Sequence, residues 1–230
     1  PRCDGGSGRC VECLLDEHCE DLDRPGCIDR ECGFCSDHAQ RPATACDLET
    51  GRCFPGDCVY YVERTEDGAH PCSDGADGGA PETPFCTLQA AVSRTKAGQP
   101  CTINVKAGKL AQSEPTKIPV GARTLAILPY GVARPVLAVT KEVPVLDVQV
   151  GNRVYLSGLD VTNVSPSSLP AIQCAGAALW LDDQSIYDTR SALRAFDCRV
   201  HVRDTVISGQ TFGAIEAGGT GDGQLWLENT

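Results

Sequence analysis

A five-residue pattern of alternating apolar and polar positions recurs along the second half of the chain. The segments "LWLDD" at 179–183 and "LWLEN" at 225–229 are nearly identical, and "VYLSG" at 154–158 and "VHVRD" at 200–204 share their pattern. Val154, Leu179, Val200 and Leu225 are therefore separated by steps of 25, 21 and 25 residues. A regular period of about 20–50 residues indicates a stacked repeat architecture.

Each step has room for two or three short strands. "TINVK" and "TLAIL" extend the alignment back to Ile103 and Leu125, and Val161, Ile186 and Ile207 mark a second strand at a constant offset. A weaker third strand lies in "VLDV", "AIQC", "ALRA" and "GAIE". No step contains the amphipathic stretch of a crossover helix. One winding per step predicts an all-β, right-handed parallel β-helix, with equivalent residues stacked about 4.8 Å apart.

The segment before the first repeat predicts a capping helix. "PFCTLQAAVSRTKAG" at 84–98 places Leu88, Ala91 and Val92 on one helical face. Because the coils of a solenoid contact only their neighbours, an open end needs a cap. We expect this helix to cover the first coil, "CTINVKAG". At the other end, residue 230 falls within a predicted strand, so we expect the β-helix to be truncated there.

The entry into the repeats also carries a family resemblance. "DGADGGAPETPFCTLQAAVSRTKAGQPCTINVKAG" resembles the opening of the pectate-lyase-like superfamily, with its Gly/Asp loop, its Pro-Phe-x-Thr-Leu-Gln-Ala-Ala motif and a following strand. The resemblance covers about residues 72–230 and implies a parallel β-helix. It does not imply one activity, because the superfamily includes lyases, hydrolases, esterases, epimerases and adhesins without catalysis.

The cysteines indicate an oxidising compartment and a small second module. Ten of the 15 cysteines lie within residues 3–58, a density typical of a disulfide scaffold. The CxxC pairs at 10–13 and 32–35 leave zinc as the alternative. Two rough copies of one unit in this segment resemble cysteine-rich repeats of secreted and cell-surface proteins of myxobacteria and their relatives. That resemblance implies a stalk, a protein-contact module or a spacer.

These observations divide the chain and predict one further disulfide. We expect a disulfide module at 1–58, a linker and Gly/Asp loop at 59–83, and a capped β-helix at 84–230. Cys174 and Cys198 are 24 residues apart, about one coil, so we expect them to pair across neighbouring coils or to pack as buried thiols. The odd number of cysteines leaves at least one thiol free or paired outside the chain.

Charge and hydropathy exclude several partners. The net charge is −11 and Lys and Arg form no cluster, which argues against nucleic acid and anionic membranes. No apolar run approaches the about 18 residues of a membrane span. We therefore expect a secreted or cell-surface protein whose partner is an extracellular polysaccharide or a surface protein.

Side chains that point outward from the repeated strands are the candidate binding residues. Residues alternate between the two faces of a strand, so the inward set leaves an outward column of Tyr155, Trp180, His201 and Trp226. A ladder of aromatic rings predicts a platform for sugar rings. Alternatively, a partner, a further segment or the loop at 129–144 covers the column.

Two polar columns follow on the same strands, and each has a structural and a catalytic interpretation. They are Ser157, Asp182, Arg203 and Glu228, then the turn positions Gly158, Asp183, Asp204 and Asn229. The structural interpretation is a surface ladder of ion pairs beside a ladder of turn residues. In the catalytic one, Asp183 and Asp204 lie about 5 Å apart and share a calcium ion or perform acid–base chemistry.

The superfamily resemblance sharpens the catalytic interpretation. Its lyases use acidic calcium ligands with an arginine base, and its hydrolases use carboxylates on neighbouring coils. By this resemblance Asp182, Asp183, Arg203 and Asp204 are the candidate catalytic residues, with Asp183 and Asp204 as candidate calcium ligands. Calcium is the one cofactor that the sequence suggests.

Three functional hypotheses remain open from the sequence. The first is a binding or adhesive β-helix protein that recognises extracellular polysaccharide. The second is a lyase or glycoside hydrolase that acts on acidic polysaccharide. The third is a structural component of a surface assembly.

Overall fold

The computed structural model describes most of the chain. It covers residues 44–64, 71–163, 169–221 and 223–230, together with Cys35, His38 and four short strands before residue 34. The chain divides into two compact units, Pro1–Asp57 and Cys58–Thr230.

The described part of the first unit consists of short antiparallel strand pairs, in which β1 pairs with β2, β3 with β4 and β5 with β6. The strands are β1 (Arg2–Cys3), β2 (Cys10–Val11), β3 (Gly26–Ile28), β4 (Glu31–Gly33), β5 (Cys46–Asp47) and β6 (Arg52–Cys53). A disulfide joins Cys35 to Cys46. For Cys35, the disulfide hypothesis is therefore confirmed and the zinc alternative is wrong.

The second unit contains one helix and 17 described strands. In chain order they are β7 (Val59–Val62), α1 (Leu88–Arg94), β8 (Pro100–Lys106), β9 (Lys109–Gln112), β10 (Thr116–Ile118), β11 (Thr124–Tyr130), β12 (Val136–Val139), β13 (Leu146–Val148), β14 (Arg153–Ser157), β15 (Asp160–Asn163), β16 (Ile172–Ala175), β17 (Ala178–Asp182), β18 (Ser185–Tyr187), β19 (Leu193–Phe196), β20 (Arg199–Arg203), β21 (Val206–Ser208), β22 (Ile215–Gly218) and β23 (Gln224–Glu228).

From β8 onward, consecutive strands pass through three sheets in turn, so that three strands make one coil. The long sheet has the order β23-β20-β17-β14-β11-β8-β7, the second sheet β21-β18-β15-β12-β9, and the third sheet β10-β13-β16-β19-β22. All neighbours in these sheets are parallel. The protein is thus an all-β parallel β-helix of about five coils, with a short helix at its N-terminal end, as the sequence predicts.

The predicted inward column is confirmed at its middle positions, whereas Leu225 pairs with Val200 but is 39% exposed on the last strand. Leu125, Val154, Leu179 and Val200 are paired in register and buried. Ile103, however, pairs with Ile127 rather than with Leu125, whose partner is Cys101. The predicted register of this strand is therefore wrong by two residues. A shift of two leaves every side chain on its original face, so alternation alone does not detect it.

The second and third strands of each coil also lie where the sequence places them. Val161 pairs with Ile186, and Ile186 pairs with Ile207. A disulfide joins Cys174 on β16 to Cys198 just before β20. This confirms the predicted link across neighbouring coils, which lies in the buried interior.

The N-terminal edge of the long sheet begins earlier than the sequence predicts. β7 falls in the segment predicted as a linker, yet it pairs in parallel with β8, and its Val62 forms a further bridge to Phe85. Phe85 is buried, and a Cβ at Gly79 would lie 2.5 Å from its ring. The glycine of the Gly/Asp loop is thus required by close packing against this ring, and its φ of +103° favours glycine further.

Helix α1 closes the N-terminal edge of the third sheet. Its buried residues are the predicted Leu88, Ala91 and Val92, and the Thr87 hydroxyl accepts a hydrogen bond from the Ala90 N–H as the N-cap. The side-chain amide of Gln89 takes the place of a neighbouring strand at this edge. Its Oε1 accepts from the Lys117 N–H at 2.7 Å and its Nε2 donates to the Lys117 carbonyl at 3.3 Å, so the edge strand β10 keeps both backbone partners.

We expect Gln89→Ala to destabilise the β-helix without weakening the helix itself, because alanine has the higher helix propensity. Losing both hydrogen bonds to Lys117 lowers the free energy of unfolding by about 1–3 kcal/mol. Urea unfolding with the disulfides intact measures this. Lys96→Ala, an exposed change just after the helix, is the control. Equal stability of the two variants would refute the capping role.

Candidate functional site

The four predicted aromatic residues form a continuous stack on the outer face of the long sheet. Ring centroids are 4.5 Å apart for Tyr155 and Trp180, 5.1 Å for Trp180 and His201, and 4.0 Å for His201 and Trp226. The last two pairs are within 10° of parallel. Parallel in-register strands cause this arrangement, because they place equivalent side chains directly beside each other.

Exposure rises along the stack toward the last strand. Tyr155 is fully buried and Trp180 is 8% exposed, whereas His201 is half-buried and Trp226 is 42% exposed. The sequence predicts four equivalent platform positions, but only the His201 and Trp226 end of the column is accessible. Trp226 lies on β23, the last strand of the sequence, where Leu225 and Leu227 are exposed as well.

The sequence suggests the loop at 129–144 as a possible cover for the aromatic column. The described ion pairs of its Arg134 are with residues outside that column. Its Val132 is fully exposed and its residues 136–139 form β12. Its Arg134 reaches the turn column, where Nη1 lies 2.9 Å from Asp183 Oδ1 and Nε lies 3.0 Å from Asp160 Oδ1.

The first polar column contains a tightly bound ion pair. Arg203 Nε donates to Asp182 Oδ1 at 2.7 Å, and Arg203 Nη2 donates to Asp182 Oδ2 at 3.0 Å. The Ser157 hydroxyl donates to the same carboxylate at 3.4 Å. Such a bidentate arrangement is among the stronger ion pairs in proteins. Asp182 is buried, so the pair holds β17 and β20 together more than it presents a carboxylate to solvent.

The turn column owes its residue types to backbone conformation. Gly158, Asp183, Asp204 and Asn229 have φ values of +66°, +48°, +49° and +50°, all in the left-handed region. Glycine, asparagine and aspartate enter this region at the lowest cost. The N–H of each of the first three donates to the carbonyl before the next turn residue, at 3.0–3.1 Å.

The side chains of this column are also held by structural partners. Asn229 Nδ2 donates to Asp204 Oδ1 at 3.1 Å, and Arg134 pairs with Asp183. Burial acts to lower the pKa of Arg134, but hydrogen bonds and the charges of Asp183 and Asp160 outweigh it, and the pKa is raised. Arg134 therefore remains a cation beside both carboxylates.

These contacts do not fit a calcium site. Calcium takes about six to eight oxygen ligands. Asp183 already holds a guanidinium, and Asp204 holds the Asn229 amide. Within the described ranges no group of three or more His, Cys, Asp or Glu side chains is placed to hold a metal ion. The four candidate catalytic residues thus lie in an ion pair, Asp182 with Arg203, and at two left-handed turn positions, Asp183 and Asp204.

Neither Arg134 nor Asp160 belongs to a column that the repeat pattern predicts. Arg134 lies in a loop and contacts residues on two later coils, so no spacing pattern connects it with Asp183. The only available signal is the extra length of this 29-residue step, which shows that a loop is inserted somewhere within it.

The comparisons with known proteins give a family match for the N-terminal segment and a similarity to a solved structure. Residues 1–59 match a family described as "Family of unknown function (DUF8331)". No curated protein matches the chain. Among solved structures, a "Rhamnogalacturonan lyase" is similar with a TM-score of 0.45 and 14% sequence identity. That match covers 71% of this chain, which spans 62% of the lyase chain. Among the described residues, no helix is long and apolar enough to cross a membrane.

Substitutions at Asp204 separate the backbone requirement of this turn from a stabilising contact of the carboxylate. Asp204→Asn keeps a residue that tolerates the left-handed region, so we expect its free energy of unfolding to stay within about 0.5 kcal/mol of the parent. Asp204→Val places a β-branched side chain there and costs about 1–3 kcal/mol. Thermal unfolding measures both variants. Equal loss in the two would mean that the carboxylate, rather than the turn, stabilises this corner.

Proposed function

We propose that this protein is an extracellular binding or adhesive element that recognises polysaccharide through the accessible end of its aromatic column. The observation that carries the proposal is the stack itself. One face of Trp226 lies against His201 with a centroid separation of 4.0 Å, while 42% of the side chain is exposed. The indole is thus fixed in orientation by its neighbour.

A preordered aromatic ring suits a sugar ring for two physical reasons. Its flat apolar face removes the apolar face of a sugar from water, and its rigidity lowers the entropy that binding costs. His201 and the strand register already hold Trp226 in place. Little ordering is therefore left for the ligand to impose.

The disulfides support an extracellular location. Four disulfides join described cysteines, namely Cys35–Cys46, Cys58–Cys101, Cys72–Cys86 and Cys174–Cys198. Disulfides persist in secreted and cell-surface proteins and are rare in reducing compartments. A protein that meets extracellular polysaccharide needs this environment.

The two other hypotheses lack an observation of their own. A lyase or hydrolase needs an accessible carboxylate or base. Asp182 is buried against Arg203, and the exposed carboxylates of Asp183 and Asp204 are already paired with Arg134 and with the Asn229 amide. A surface assembly would cover Trp226 with a partner. Both remain outcomes that the following experiment distinguishes.

We expect Trp226→Ala to weaken polysaccharide binding at least 10-fold. The assay measures depletion of the oxidised protein by insoluble or immobilised xylan, galactan, dextran and polygalacturonate, with released oligosaccharides measured in the same tubes. Phe212→Ala is the matched control, because Phe212 is 69% exposed and its ring lies against Arg190, outside the column. Trp180→Ala is unsuitable, since removing a buried tryptophan costs about 3–5 kcal/mol of stability.

Each outcome of this experiment has one meaning. Depletion without products, lost in Trp226→Ala and kept in Phe212→Ala, supports the proposal. Depletion with release of oligosaccharides would mean that the protein is an enzyme, with Asp182, Asp183, Arg203 and Asp204 as its candidate catalytic residues. Absence of depletion across the panel overturns the carbohydrate hypothesis.

A further inference from the structure

A groove on the surface of the β-helix lies where the chain passes from the third sheet to the long sheet. Its volume is about 430 Å³. It crosses three consecutive coils, at the sequences "GNR", "GAA" and "DCR". The last residues of these sequences, Arg153, Ala178 and Arg199, are paired in register on β14, β17 and β20. The middle coil thus carries a methyl group where each neighbouring coil carries an arginine side chain.

Small residues in the middle coil leave a notch between the two arginines. Gly176 begins the middle sequence, and the equivalent Gly151 lines the groove as well. Their φ values are +60° and +83°, so these turn positions favour glycine. At about 4.8 Å per strand, the Cα atoms of Arg153 and Arg199 are about 9.6 Å apart. The arginine side chains therefore border the notch on two sides.

The charges that line the groove favour an anion. Arg199 is exposed and Arg153 is half-buried. Among the described lining residues Asp197 is the one acidic side chain, and its Oδ1 accepts a hydrogen bond from the Gly221 N–H at 2.6 Å. Two positive charges and one negative charge leave the lining with a net charge of +1, in a chain whose net charge is −11. A guanidinium has five N–H donors, so it can bind an anion in addition to a protein partner.

Two arginines on opposite sides of a notch suit a tetrahedral anion better than a planar one. A carboxylate has two oxygens in one plane, and the fork of a single arginine satisfies both. A sulfate or phosphate group has terminal oxygens that point in several directions, so two guanidinium groups can donate to it from different coils. The groove therefore favours the tetrahedral group.

We propose that this groove is a binding site for a tetrahedral oxyanion, a sulfate or phosphate group, which Arg153 and Arg199 hold between them over the methyl group of Ala178. The anion is a free ion or a substituent of a polysaccharide, and both present the same terminal oxygens. The site does not involve Trp226. It therefore goes beyond the proposed function and does not depend on it.

The experiment titrates the oxidised protein with sodium sulfate, sodium phosphate and dextran sulfate by isothermal titration calorimetry, with sodium chloride keeping the ionic strength constant. Neutral dextran and polygalacturonate are the comparison polymers, because neither carries a tetrahedral anion. We expect sulfate and phosphate to bind, and dextran sulfate to bind at least 10-fold more tightly than polygalacturonate. Arg199→Gln should weaken the binding of sulfate, phosphate and dextran sulfate at least 10-fold, because it removes the charged donor on one side of the notch.

Ala178→Glu is the second variant, since it places a carboxylate in the notch itself. This carboxylate pairs with the flanking arginines and excludes the anion, so we expect binding to be lost although both arginines are kept. Lys141→Gln is the matched control, because it removes one positive charge at a side chain that is 61% exposed and lies outside the groove. Thermal unfolding checks that each variant keeps its fold.

The outcomes test the site independently of the aromatic column. Loss of sulfate binding in Arg199→Gln and Ala178→Glu, with binding kept in Lys141→Gln, supports the site. The affinities per sulfate group of sodium sulfate and dextran sulfate then distinguish a free ion from a polysaccharide substituent. The inference is overturned if the parent does not bind sulfate, if the two groove variants bind it like the parent, or if polygalacturonate binds as tightly as dextran sulfate. None of these results changes what Trp226→Ala shows about the proposed function.

Discussion

Each inner coil of the described β-helix satisfies the backbone N–H and C=O groups of its strands by pairing with the coils on either side, and the rest of the structure depends on that pairing. A coil has no stable form alone, because an unpaired buried backbone group costs about 1–3 kcal/mol. The first coil is therefore the critical point. In the long sheet β7 and the Phe85 bridge cover its edge, and in the third sheet the amide of Gln89 does so. In the second sheet the Arg64 guanidinium donates to the Lys109 carbonyl at 3.0 Å.

The same pairing explains which polar residues occur at the corners. A chain that turns from one sheet to the next at each coil needs a residue in the left-handed region, and the corner after the long sheet uses Gly158, Asp183, Asp204 and Asn229. Aspartate at such a corner looks catalytic in a sequence, because carboxylates on adjacent coils also form active sites. Here the backbone requirement accounts for the residue types, and Arg134 and Asn229 account for the carboxylate contacts.

The regular spacing of the coils also explains the column of stacked rings on the outer face of the long sheet. The aromatic rings stack because the strands are parallel and in register, and the stack holds Trp226 in one orientation. His201 is itself held by Trp180, so the orientation of Trp226 is set by the whole column.

The sequence by itself determines the repeat, the parallel β-helix, the inward residues, the capping helix and the Cys174–Cys198 pair, because all of these follow from local alternation and a period of one coil. It also places the aromatic residues in one column. Tertiary structure alone decides that Tyr155 is buried while Trp226 is exposed, that Arg134 binds Asp160 and Asp183, and that Arg153 and Arg199 line one groove. Burial and contacts of this kind join strands and loops far apart in the chain, and alternation carries no information about what lies above an outward face.

The two-residue error at Ile103 has the same origin, since only pairing with a neighbouring strand distinguishes registers that keep the same face inward.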